Sequence, residues 1–98
     1  MTTSTPFPVL HIDRIQGRFY GWTISLAGHV FEQEEGMSSI EECLRYAFKN
    51  LPEDNGAVEI RYRSIGLGTF SEKSLQQAPD ILADRLVEMY SAVMESIT

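Results

Sequence analysis

Residues 22–51, WTISLAGHVFEQEEGMSSIEECLRYAFKNL, decide the fold. Trp22, Ile24 and Leu26 alternate with Thr23, Ser25 and Ala27, the period of two that marks a strand with one buried face. Ala27-Gly28 offers a tight turn, and a third strand is expected from His29 to about Gln33, with Val30 and Phe31 competing for its inward side. Ser38 and Ser39 each have a glutamate three residues on, Glu41 and Glu42, so either serine can open a capping box. Ile40, Cys43, Leu44, Ala47, Phe48 and Leu51 then recur at helical spacing until Pro52 stops the helix.

Upstream, Val9 to Ile15 is apolar and β-branched enough for a strand. The Gln16-Gly17-Arg18 turn leads from it into Phe19–Leu26, where Tyr20 extends the apolar face. Residues 1–8 are small, polar and proline-bearing, a flexible lead that docks at most through Phe7. Downstream, Asp54-Asn55-Gly56 forms a turn. In Ala57 to Ile65, Val58, Ile60 and Tyr62 alternate with Glu59, Arg61 and Arg63 as in a half-buried antiparallel strand. Gly66 and Gly68 flank Leu67, which fits either a bulge or a turn into a short edge strand through Phe70.

Pro79 opens the last helix, which runs to Ile97 and follows one turn around Ser74 to Gln77. Leu82, Ala83, Leu86, Val87, Met89, Tyr90, Val93, Met94 and Ile97 share one side of it. This arc covers about 160°, wider than the roughly 100° that one sheet surface needs, so part of it is available to a partner. These elements predict an α+β fold: an antiparallel sheet of about four to five strands with two helices on one face, in the order β-β-β-α-β-(β)-α. One domain is expected over residues 9–98, behind the lead at 1–8.

Ninety-eight residues with 43% hydrophobic content allow a single core. A net charge of −6 opposes attraction to phosphate backbones and anionic lipids, so neither nucleic acid nor a membrane is an expected partner. Cys43 stands alone and cannot form an intramolecular disulfide, and the N-terminus has no secretion-signal pattern. No apolar run approaches the roughly 18 residues of a membrane span. A cytoplasmic location is the expectation.

The candidate chemistry is sparse. Cys43 with His11 or His29 has the residue types of a thiolate pair, yet Cys43 sits in the apolar stripe of the helix, where cysteine acts as a small hydrophobe. Two histidines and one cysteine without paired spacing give no metal set, and Gly66 and Gly68 lack the lysine step of a phosphate loop, so no metal or cofactor is expected. Trp22, Tyr20 and Tyr90 read as core anchors, or as hot spots if one reaches the rim.

The surface feature that stands out is Glu32, Glu34, Glu35, Glu41 and Glu42, five carboxylates within eleven residues. Turn solvation and helix capping explain most of them. Together they also set up a negative field that steers a basic partner. Arg61 and Arg63, on the open face of a strand, are the second choice, suited to carboxylates or to cross-strand ion pairs.

The rhythm of residues 22–51, strand, glycine turn, strand, Glu-Gly-x-Ser-Ser and helix, resembles small ββα units of bacterial proteins and is similar to HicB-type antitoxins. The likeness covers about a third of the chain and brings over no functional residue.

The leading expectation is a small acidic, non-enzymatic protein-binding protein of bacterial or phage type. It would act as an inhibitor, immunity factor or antidote that masks a basic surface through the five glutamates. The alternative is a homodimer or larger homo-oligomer built on the broad apolar face of the last helix. A small-ligand module or enzyme using His11, His29 or Cys43 ranks third.

Overall fold

A computed structural model describes residues 7–52 and 56–97. Five strands, β1 (Val9–Gln16), β2 (Phe19–Leu26), β3 (His29–Met37), β4 (Ala57–Tyr62) and β5 (Ile65–Ser71), form one sheet in the order β3-β2-β1-β4-β5. Helices α1 (Ile40–Asn50), α2 (Glu72–Gln77) and α3 (Pro79–Ile97) cover one side of it. The architecture is the expected α+β fold. The short α2 is the turn anticipated before Pro79, here long enough to count as a third helix. The sheet is antiparallel except at its centre, where β1 and β4 run parallel with Leu10 opposite Ile60 and Ile12 opposite Tyr62.

Alternation selects which side is buried. Leu10 and Ile12 of β1, Trp22 and Ile24 of β2, and Val58, Ile60 and Tyr62 of β4 meet Ile40, Cys43, Leu44 and Ala47 of α1 and Leu82, Ala83 and Leu86 of α3 in one core. Each fully buried Leu or Ile contributes about 1.5–3 kcal/mol through removal from water. The other side of the sheet carries His11, Asp13, Thr23, Ser25, Glu59 and Arg61 and, among the described residues, has no helix over it.

Ser39 caps α1 by accepting the Glu42 N–H at 3.1 Å. The Glu42 carboxylate closes back on the Ser38 N–H at 2.6 Å, one residue before the cap, so both serines are used. Gln16 and Phe19 pair on either side of the expected Gly17-Arg18 turn, and Ala27-Gly28 closes β2 onto β3 with φ of 52° and 85°. Of the expected lead, Phe7 and Pro8 are described: Pro8 is buried and its carbonyl accepts the Glu59 N–H at 3.0 Å, which ties the chain down before Val9. Residues 1–6 lie outside the described residues, as do Asp54 and Asn55 of the expected turn.

Three local readings change. The third strand does not stop near Gln33 but continues to Met37, so Glu34 and Glu35 belong to a strand and not to an acidic turn. A register shift separates Val30, opposite Ser25, from Glu32, opposite Ile24, and leaves Val30 and Phe31 63% and 51% exposed; neither wins the inward side. The fourth strand ends at Tyr62. Arg63 and Ser64, with φ of 51° and 71°, make the hairpin turn, and the Gly66–Gly68 stretch lies inside β5 as a bulge that buries Leu67.

Candidate protein-binding edge

β3 is an outer strand, with β2 as its one strand neighbour among the described residues, and every residue from His29 to Gly36 is exposed. Its free side is a row of backbone donors and acceptors of the kind to which another strand can add. Glu32 and Glu34 stand opposite Ile24 and Trp22 and therefore lie on the helix side of the sheet, at its uncovered shoulder. Glu35 stands opposite Gly21 and lies on the open side. One strand thus presents carboxylates on both sides of its edge.

The other two glutamates have local work. Glu41 pairs with Arg45 at 2.7 Å and Glu42 is held by Ser38, both within the opening of α1. The five-carboxylate cluster therefore resolves into a strand-edge trio and a helix-capping pair. Arg61 is on the open face as expected, opposite His11, and its Nε donates to Glu59 at 2.9 Å; the ion pair is solvated as anticipated but runs along β4, two residues apart, and not across to a neighbouring strand. Arg63 is not on that face. It sits in the β4–β5 turn with its guanidinium 5.5 Å from the Tyr90 ring centroid.

On the open side, Asp13, Ile15, Gly21, Thr23, Gln33 and Glu35 line a shallow cleft of about 460 Å³ between β1, β2 and β3. Gly21 is buried beneath the neighbouring Ile15 and Glu35 side chains. An added Cβ there would stand 3.0 Å from Ile15 Cδ1, 3.2 Å from Glu35 Cγ and 3.3 Å from the Glu34 carbonyl oxygen. The glycine lets Glu35 fold over the cleft rim. Nothing in the chain's alternation pattern separates Gly21 from the other small residues of that face, so this contact was missed.

The thiol candidate falls apart spatially. Cys43 is fully buried under α1, and burial, with the neighbouring Glu42 carboxylate, pushes its pKa up to about 12. His11 points to the opposite side of the sheet, and His29 is exposed at the start of β3. A protonated, enclosed thiol without an imidazole beside it is a packing residue. Among the described residues, no three His, Cys, Asp or Glu side chains are grouped to hold a metal ion, and no helix is long and apolar enough to cross a membrane.

No family model, curated protein or solved structure matches this chain. The similarity to HicB-type antitoxins therefore rests on the order of elements alone.

Proposed function

We propose that this chain is a small, cytoplasmic, non-enzymatic binding protein that masks a basic surface on a target protein, as an inhibitor, immunity factor or antidote of bacterial or phage origin does. The observation that carries the reading is β3: a nine-residue outer strand, exposed through Gly36, with Glu32 and Glu34 on one side of its edge and Glu35 on the other. An extended basic segment adding to this edge gains main-chain hydrogen bonds from β3 and charge pairing from the three carboxylates. The same charges, with the bulge at Phe31, also keep β3 from pairing with its own kind. Both uses follow from one arrangement.

The test is a paired capture from native-host extract with wild-type protein and a Glu32→Lys/Glu34→Lys variant as baits, at low and high salt. The expected result is a stoichiometric basic partner held by the wild type, released at high salt and absent from the variant. Equal capture by both baits would remove β3 from the account, and capture of no partner would sink the binding reading itself. The melting temperature of the variant should stay close to that of the wild type, because both glutamates are exposed.

A further inference from the structure

α3 runs well past its own buried stretch. Its 19 residues extend about 28 Å, yet its buried positions are Pro79, Leu82, Ala83 and Leu86, all in the first half. Along the side next to that seam, Ala83, Val87, Tyr90, Met94 and Ile97 recur at spacings of four and three, and Val87, Met94 and Ile97 are 44%, 37% and 66% exposed. That is the spacing of a helix seam: Ala83 and Tyr90 form its inner margin against the core, and Val87, Met94 and Ile97 its exposed margin.

At its first turns the stripe runs into a groove of about 370 Å³ between α3, the start of α1 and the β1–β2 hairpin. Tyr20, Ile40, Ala83 and Val87 supply an apolar lining, and Asp80 and Asp84 add two carboxylates; Arg18 enters from the hairpin side. The last turn of α3 contains no basic residue, so the negative end of its dipole is not offset from within the helix. An apolar seam with carboxylates at one end and a helix C-terminus without a basic residue in its last turn at the other is complementary to an amphipathic segment that carries lysines or arginines beside its apolar face.

We propose that the exposed margin of α3 at Val87 and Met94 and the groove at Tyr20 and Asp84 dock a basic amphipathic helix of a partner protein. In the bound state the partner's apolar face covers Val87 and Met94. One of its long cationic side chains lays its aliphatic stem over Tyr20 and Val87 and brings its charge to Asp80 and Asp84. A second copy of this chain fits less well, because each copy carries a charge of −6 and an acidic flank beside the seam. The inference rests on the reading of the chain as a protein-binding module and not on the β3 edge.

The experiment uses a fluorescent synthetic helix of leucine and lysine in amphipathic order, and its leucine–glutamate counterpart, titrated with the full chain. Binding of the lysine helix is expected, weakened about tenfold each by Asp84→Lys and Val87→Gln and unchanged by Glu32→Lys, with no binding of the glutamate helix. No binding of the lysine helix, or equal weakening by Glu32→Lys, would overturn the proposal, the latter because attraction would then follow net charge alone. A dimer by light scattering that Val87→Gln dissolves would overturn it in favour of self-association. Failure here leaves the β3 capture result standing, and equal capture by both baits, which removes β3 alone, leaves this titration standing, so the two surfaces are separately decided.

Discussion

Tyr62 and Tyr90 meet edge to face, with ring centroids 4.9 Å apart and planes at 75°. The contact joins the last residue of β4 to the point where α3 leaves the core. Arg63 closes it from the turn side by lying over the Tyr90 ring. It is the last aromatic anchor before the exposed end of the helix. Tyr90→Ala is expected to destabilise the fold by about 2 kcal/mol, the sum of half-buried aromatic area and the ring pair. Urea denaturation checks this, and Tyr90→Phe, which keeps the ring, should stay within about 0.5 kcal/mol of the wild type.

Alkaline stability depends on Cys43. Its thiol titrates near 9 when unfolded and at about 12 when buried, so the folded state keeps a proton that the unfolded state releases. Stability contributed by this difference is complete below pH 9 and is lost as pH rises toward 12, at up to about 1.4 kcal/mol per pH unit. Burial raises the Tyr62 hydroxyl as well, and it acts in the same direction. Cys43→Ala should flatten the decline measured by urea titrations at pH 8, 9 and 10. At pH 8 the native thiol should resist a disulfide reagent that reacts at once in urea.

Ser39→Ala removes the acceptor for the Glu42 N–H and is expected to cost about 1 kcal/mol. Glu42→Ala leaves the Ser38 N–H without its 2.6 Å partner and should cost a similar amount. Because the two bonds close one turn, a double-mutant cycle should show coupling; additive losses would mean that the two ends of the cap act independently.

Gly21→Ala should destabilise by about 1–3 kcal/mol, an overpacking cost, although the residue lies on the uncovered side of the sheet. Ile15 and Glu35 can swing aside, but the Glu34 carbonyl 3.3 Å from the new methyl belongs to the neighbouring strand and cannot. Thermal denaturation of Gly21→Ala alone and with Glu35→Ala separates these parts: the second change should recover a fraction of the loss, not all of it.

The elements with a buried face were legible because burial writes itself into alternation, as in Trp22–Ile24 and Val58–Ile60–Tyr62, and into the helical spacing after Ser39. β3 has no buried residue before Met37, so its sequence carries no such alternation, and its glutamates read as a turn. Arg63 continues the alternation of β4 by chance, and the Arg63-Ser64 turn uses left-handed backbone without a glycine or asparagine to announce it. The split of the five glutamates depended on partners, Arg45 and Ser38, that any solvated helix start would also allow. The parallel pairing of β1 with β4 leaves no local mark, since either direction buries the same residues.

That central pairing has a consequence in time. Leu10 and Ile60 are neighbours in the sheet but fifty positions apart in the chain, so a growing polypeptide displays one whole side of β1 until β4 has been made. At a synthesis rate of about 5–20 residues per second, the interval is roughly three to ten seconds. During it, β1, β2, β3 and α1 are present with Leu10 and Ile12 only partly enclosed and the inner edge of β1 unpaired. The central strand of the finished sheet is thus the one whose edge stays open to mispairing while it is being born, and the acidic outer strand, one strand further out past β2, guards the opposite edge.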